Sequence, residues 1–324
     1  MILLENIKLL KKEIRAADSI FIMGHKDLDL DALGAALGIS HFITSISDSQ
    51  SYIIVDDKKQ ELGVKKVMSK LSDKYKIIKS KEARKKVRSK SLLIVVDTNK
   101  TKLLQRPDFI ELFKKVIVID HHDLGGSSIE KGTLLVDTDS SSTCEMVAEL
   151  LELLKIKIDE ELATTLLSGI MLDTNNYVLK TTSRTFKISY YLTKNGADPR
   201  SVQYILKQDL KRYIERQKVI TEVKIINNKI ALTRGFHKEL YRREDLAKIA
   251  DTLLLFNKIE ASFVVGRIDK NTIGISSRSL GNINVGIILE HFGGGGDEHE
   301  AAAKITGKTV QEVKVEILEE VKNL

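Results

Sequence analysis

The sequence predicts an α/β protein in two parts: a doubly wound parallel sheet, a helical connector, and then a smaller α/β domain. Three observations lead there. Short β-branched runs alternate with helical patterns through the first part of the chain, and that alternation gives a parallel sheet covered on both faces. Several apolar segments break directly into Asp or His, and open α/β sheets place their chemistry at the carboxyl ends of strands. From about Glu222 the pattern changes to paired strands.

The elements follow in order. Residues 5–17 form an amphipathic helix, with Ile7, Leu10 and Ile14 at helical spacing, leading into a strand from Ser19 to Met23. After the turn His25–Asp31, Ala32 to Ile39 reads as a helix whose small residues permit close approach to the sheet. A strand at Ser51–Val55, a lysine-rich helical region, a strand at Leu92–Asp97, a helix after Pro107 and a strand at Val116–Asp120 come next. Gly125-Gly126 permits a sharp turn. In Asp139–Glu145 a hydroxyl side chain with an acid a few residues on marks the start of a helix over Met146–Leu154. Helices follow at 159–172 and 185–195, and Asn195–Pro199 ends one helix and starts the next, with Pro199 in its first turn. Arg200 to Val219 reads as one long charged helix. Beyond it lie strands at Val223–Ile226 and Ile230–Thr233 joined by Asn227-Asn228, a helix near 243–254, strands at 261–268 and 272–277, and helices at 284–292 and 309–322. The expected spans are 1–195, a connector at 196–221, and 222–324.

Composition bounds the function. At 324 residues, 42% hydrophobic and 30% charged, the chain is long enough for two cores. A single cysteine, Cys144, excludes an intramolecular disulfide framework and fits a reducing compartment. No apolar run approaches the ~20 residues needed to cross a bilayer, and the first residues lack a leader pattern, so a cytoplasmic protein is expected. The net charge of +7, with basic clusters at Lys81–Lys90 and Lys207–Lys218, tolerates polyanionic ligands, although each cluster alone reads as a solvated helix face.

Four apolar segments terminate in chemistry-bearing residues: Ile20–Met23 before His25–Asp31, Leu92–Val96 before Asp97, Val116–Ile119 before Asp120-His121-His122, and Leu166–Leu172 before Asp173. His25, Asp29, Asp31, Asp97, His121 and Asp173 make a set of four carboxylates and two imidazoles without a thiolate. Such a set favours Mn²⁺, Mg²⁺ or Fe²⁺ over structural zinc. Two ions about 3.5–4 Å apart, sharing one carboxylate, would use all six groups and suit in-line hydrolysis of a phosphate ester. For any single member, a helix cap or a surface hydrogen bond is the other reading.

The segments His25–Asp31, Val96-Asp97-Thr98, Asp120-His121-His122 and Leu172-Asp173-Thr174 together resemble the four motifs of the DHH phosphoesterase superfamily. Ser276–Ser279 followed by Gly293–Gly296 resembles its companion DHHA1 domain, so the likeness covers nearly the whole chain. Met23–Lys26, Ala32–Ala36, Asn195–Pro199 and Ser279–Val285 resemble the GdpP-type cyclic di-AMP phosphodiesterases, and the chain looks like a stand-alone form of their catalytic part. The resemblance implies that His25, Asp29 and Asp97 hold one manganese and that Asp31, Asp97, His121 and Asp173 hold the other. It also implies that His122 faces the substrate phosphate and that Asp120 orients a neighbouring histidine. Arg278, flanked by Ser277 and Ser279, offers a planar fork for phosphate or base, and Gly293, Gly294, Gly295 and Gly296 an anion-binding concavity. The family usually has His directly after the glycines. Here Asp297 stands in that place and His299 follows two residues later, so an acid is expected to face the phosphate unless His299 takes over.

The implied activity is manganese-dependent hydrolysis of cyclic di-AMP to pApA, with AMP as a further product. The alternative is an oligoribonuclease that degrades short linear RNA and dephosphorylates pAp. A nucleotide-binding protein without hydrolysis has no need of four buried acids, and an inorganic pyrophosphatase of the same superfamily is disfavoured by the glycine-rich second domain. The expected partners are a cyclic dinucleotide or short linear oligonucleotide, with no membrane and with a homodimer as a candidate assembly. The active site is expected in a cleft between the domains, with closure gating entry.

Overall fold

The computed structural model describes residues 4–56, 60–125, 128–236, 239–322 and 324. The chain forms two compact units, Met1–Lys207 and Gln208–Leu324. The first contains α1 (Leu4–Ala16), β1 (Ser19–Met23), α2 (Leu30–Ile46), β2 (Gln50–Ile54), α3 (Leu62–Leu71), β3 (Ile77–Ile78) and α4 (Ser80–Lys86). It continues with β4 (Leu92–Val96), β5 (Lys115–Asp120), β6 (Thr133–Val136), α5 (Thr143–Leu153), α6 (Glu160–Asp173), α7 (Ser183–Lys194) and α8 (Pro199–Ile205).

The strands lie in the order β3-β2-β1-β4-β5-β6. Every neighbouring pair is parallel. This is the doubly wound arrangement, with its topological switch point between β1 and β4. Side-chain alternation explains why both faces are covered. Ile20, Ile22, Ile94, Val96, Ile117 and Ile119 enter a core shared with α2, α5 and α6. Phe21, Met23, Leu93, Val95, Val116 and Val118 enter a second core that includes Phe109 and Phe113.

The second unit contains α9 (Leu210–Ile220), β7 (Lys224–Ile226), β8 (Ile230–Arg234), α10 (Arg243–Leu253), β9 (Ala261–Arg267), β10 (Thr272–Ser279), α11 (Val285–Glu290), β11 (Gly295–Gly296), β12 (Glu300–Thr306) and α12 (Val310–Val321). Its sheet order is β11-β12-β10-β9-β8-β7. Only β8 and β9 run parallel. The β7–β8 hairpin, with Ile226 opposite Ile230, turns through Asn227, Asn228 and Lys229, and Asn227 and Asn228 take the positive φ that Asn tolerates better than most residues.

Several elements depart from the sequence expectation. Helix α2 runs on to Ile46, because Phe42 and Ile43 continue its buried face. The single helix expected over Arg200–Val219 is two: α8 stops at Ile205, and Asp209 starts α9 by accepting the amide of Arg212. The stretch after Pro107 is a 3-10 turn over Pro107–Leu112. Strands β3, β6, β11 and β12 were not expected. Of the turn expected at Gly125-Gly126, Gly126 lies outside the described residues. No helix among the described residues is long and apolar enough to cross a membrane.

The small residues of α2 are used as expected, for close approach, but against helices rather than strands. A Cβ on Gly34 would sit 2.6 Å from the Sγ of buried Cys144 on α5, and one on Gly169 of α6 would meet the same sulfur and lie 3.0 Å from the Cα of Asp31. Gly34→Ala should therefore destabilise the first unit by about 1–3 kcal/mol, the usual cost of overpacking. Urea unfolding measures this. In a Cys144→Ala background the penalty should shrink, and strict additivity of the two substitutions would contradict the contact.

Candidate metal centre

The ends of β1, β4 and β5 lie side by side at the switch point, so His25, Asp97 and His121 are delivered by adjacent strands. His25 donates from Nδ1 to the carbonyl of Lys26 at 2.6 Å. That bond turns Nε2 inward, 3.4 Å from Asp29 Oδ2 and 3.3 Å from Asp97 Oδ2. Burial opposes charge on His25, but Asp29 and Asp97 outweigh it and raise its pKa well above the ordinary value. Asp29 divides its carboxylate: Oδ1 caps α2 by accepting the amide of Ala32, and Oδ2 faces His25. Its pKa falls to about 2, with burial opposing and His25 prevailing.

Asp31 is completely buried at the amino end of α5, where Oδ2 accepts the amide of Thr143 at 2.7 Å and Oδ1 that of Cys144 at 2.8 Å. The helix dipole favours an anion there. Even so, burial first, and then Asp97 and Asp173, push its pKa well above the carboxylate range.

Asp97 takes a left-handed backbone conformation, φ +60°, directly after β4. A non-glycine residue in that region costs roughly 1–3 kcal/mol and needs its surroundings to hold it. Its amide donates to Ile119 at 3.0 Å, and its Oδ1 accepts the Thr143 hydroxyl at 3.0 Å. While Oδ2 faces His25, Oδ1 lies 3.5 Å from His121 Nε2. His121 Nε2 is also 3.2 Å from Asp173 Oδ2, the last residue of α6. Ligand atoms of His25, Asp29 and Asp97 thus lie within 4.8 Å of one another, and so do those of Asp31, Asp97, His121 and Asp173.

Two features fit a cation here. Neither ring nitrogen of buried His121 makes a hydrogen bond within the described residues, an arrangement a folded protein seldom leaves uncompensated. Asp173 sits at the carboxyl end of a helix, where the dipole disfavours an acid. An ion among these groups would satisfy the imidazole and relieve the carboxylate repulsion.

His122 differs from its neighbour. Its ring is 52% exposed and Nδ1 lies 2.8 Å from Asp120 Oδ1, which also accepts the amides of His121 and His122. Burial lowers the pKa of His122, but the Asp120 hydrogen bond outweighs it and the net change is upward. Nε2 is left to meet a ligand. Buried Asn99 donates to the carbonyls of His122 at 2.9 Å and Asp123 at 3.3 Å, pinning this loop to β4. Asn99 and Thr143 were not picked out from the sequence. Their signals were an amide two residues after Asp97, and four consecutive hydroxyls at 140–143 where one cap would suffice.

The second unit gathers the other expected residues. Arg278 on β10 faces Asp251 of α10 and Glu300 of β12. Ser277 and Ser279 are fully buried; the Ser277 hydroxyl donates to Ala301 and that of Ser279 accepts the Gly281 amide. The glycine run does not present four open amides. Those of Gly293 and Gly294 donate to Glu290 and Leu289, ending α11, while Gly295 and Gly296 pair with Ala302 and Ala301. Asp297 has a structural role in the turn: its Oδ1 accepts the amides of His299 and Glu300 at 2.8 Å each, closing the β11–β12 turn. The His299 ring lies with Nδ1 3.4 Å from the Ser279 carbonyl and Nε2 3.3 Å from Glu298.

Residues 19–170 match the DHH family N-terminal domain, and residues 217–324 match the DHHA1 domain. The chain belongs to the DHH family. It is 38% identical over 317 residues to the cyclic-di-AMP phosphodiesterase GdpP of Geobacillus thermodenitrificans, a match covering 96% of this chain and 48% of that protein. The DHH chain thus spans about half of that relative's length. It is 27% identical over 310 residues to the bifunctional oligoribonuclease and PAP phosphatase NrnA of Mycoplasma genitalium, covering 91% of each. The crystal structure of an exopolyphosphatase-related protein from Bacteroides fragilis has the same fold, with a TM-score of 0.82 at 23% identity, over 98% of this chain and 95% of that one.

A cation that binds only the folded DHH centre stabilises it by about 2.7 kcal/mol at a hundredfold excess over Kd. Adding Mn²⁺ to EDTA-treated protein should therefore raise the melting temperature, and Asp97→Asn should remove most of the increment. An unchanged melting temperature across a Mn²⁺ titration would count against the centre.

Proposed function

We propose that the DHH chain is a manganese-dependent phosphodiesterase that hydrolyses cyclic di-AMP to pApA, with AMP as a further product. The observation that carries this reading is the sharing of Asp97 between two ligand clusters, one oxygen turned to His25 and the other to His121. His25, Asp29 and Asp97 would hold one ion, and Asp31, Asp97, His121 and Asp173 the other. Bound ions of this kind supply a hydroxide at neutral pH and neutralise charge on the phosphate.

The chain's own residues do the rest. Asp120 fixes the His122 ring through Nδ1, so that Nε2 can hydrogen-bond a phosphate oxygen or give a proton to the leaving oxygen. Thr143 and the α5 amides hold Asp97 and Asp31 in place. Nucleotide recognition is assigned to the second unit, around Arg278, Ser277, Ser279, the segment Gly293–Gly296 and His299. The likeness to GdpP supports the cyclic substrate. Hydrolysis of short linear RNA and pAp is the second reading, favoured by a likeness to NrnA that runs through almost all of both chains.

A turnover assay with Mn²⁺ against cyclic di-AMP, cyclic di-GMP, pApA and pAp separates the two. Cyclic di-AMP should be the preferred substrate. Asp97→Ala should lower its turnover on the order of 10²–10³-fold or more, and His122→Ala by about 10²-fold with Mn²⁺ binding retained. Turnover of pApA or pAp alone would replace the first reading by the second.

A further inference from the structure

Lys314 of α12 is only 8% exposed. Lysine is rarely so covered unless it is paired, yet Lys314 makes no ion pair or side-chain hydrogen bond among the described residues. Its own helix brings no acid to it: the residues three and four positions away are Val310, Gln311, Ile317 and Leu318. A lysine stem can be buried against apolar neighbours while its amine stays in water. That explains the covering of Lys314 and not the company it keeps.

The sheet face under α12 carries Ile226, Ile230, Leu232, Phe263 and Val265, packed with Val310, Val313 and Ile317. Lys224 stands opposite Leu232 in the β7–β8 register, and Arg234 lies two residues beyond Leu232. Side chains two apart on a strand share a face, so Lys224 and Arg234 are both on the α12 side. They are diagonal neighbours, about 7–8 Å apart along the hairpin. Burial first, and then Lys224 and Arg234, lower the pKa of Lys314, with Glu222 opposing. Neither Lys224 nor Arg234 makes an ion pair among the described residues. Strand β7 is the last of its sheet and Lys224 is exposed, so the cluster opens to solvent at the sheet edge. Arg278 lies on the other face, against Asp251 of α10.

We propose that Lys224, Arg234 and Lys314 form a binding site for a phosphate dianion on the sheet face opposite Arg278. Three cations beside one acid match the charge of about −1.5 to −2 on a phosphate monoester at neutral pH, whereas a single carboxylate would leave part of the excess unmatched. Arg234 offers a planar fork to two phosphate oxygens, and the lysines act as point charges on either side of it. The anion also removes the repulsion that holds a nearly buried amine between two other cations. Inorganic phosphate and the terminal phosphate of a mononucleotide share this chemistry. The inference is independent of the proposed function.

The test is calorimetric titration of the full chain, stripped of metal on a chelating resin, with inorganic phosphate at constant ionic strength. The wild type should bind. Lys314→Met and Arg234→Gln should each weaken binding about tenfold or more, while Arg278→Gln stays within about twofold of the wild type. Phosphate should also raise the melting temperature of the wild type and leave that of Lys314→Met unchanged. Should Lys314→Met not fold, Arg234→Gln and Lys224→Gln, at half-buried and exposed positions, carry the test. AMP, titrated into Arg278→Gln with and without Lys314→Met, separates the sources: an Arg234-side site open at the sheet edge should take AMP within about threefold of inorganic phosphate, and AMP binding tenfold weaker would assign the site to free phosphate. The proposal is overturned if phosphate does not bind the wild type, if the substitutions in the cluster leave its affinity unchanged, or if phosphate raises the melting temperature of Lys314→Met as much as that of the wild type.

Discussion

The structure of the first unit depends on burying Asp97 with its two oxygens turned in opposite directions. A carboxylate taken out of water must be matched by donors or cations. Here Oδ1 receives the Thr143 hydroxyl, and its remaining capacity faces histidines on either side. The left-handed turn after β4 makes this division geometrically available, because it lifts the side chain off the strand's alternation and across the switch point. The hydrogen bond from the Asp97 amide to the Ile119 carbonyl continues the β4–β5 ladder into that turn and holds it.

The surrounding packing follows from the same constraint. Asp31 can approach Asp97 only because the amino end of α5 brings two amides to it. Helix α5 can come so near because Gly34 and Gly169 leave room for Cys144 between α2 and α6. Behind the turn that starts α5, the Ser141 hydroxyl bonds Glu145, and Arg184 of α7 pairs with Glu145, Glu149 and Asp137. A buried arginine network of this kind adds little net stability by itself, but removing one member is costly. It fixes the position of the turn that presents Thr143 to Asp97.

The sequence disclosed the strands that carry the centre because they are buried on both faces. A continuous β-branched run such as Val116–Ile119, broken abruptly by charged groups, fits the end of a buried strand and little else. Asp173 belongs to the same pattern of apolar runs ending in acids, but its run lies in the helix expected at 159–172 and observed as α6. Strands β3, β6 and β12 were hidden for different reasons. The first two are two and four residues long and lie at or next to a sheet edge. β12 is largely alanine and charge, a composition with little strand propensity that is made a strand by pairing with β10. The division of Arg200–Val219 followed from a cap at Asp209 that charge and helical spacing did not reveal.

Residue type told more about the metal groups than about Arg278 or Asp297. A set of buried acids and imidazoles narrows its own chemistry, since little else than cations stabilises it. An arginine does not, because its meaning depends on which carboxylates reach it, and Asp251 and Glu300 come from elements distant in sequence. Asp297 shows the same limit. Read as a substitution for His it implied only a change in the ligand site, whereas its Oδ1 also accepts the amides of His299 and Glu300 and closes a turn. The partners of Arg278, Asp251 and Glu300, are read from the folded chain and not from the residue type.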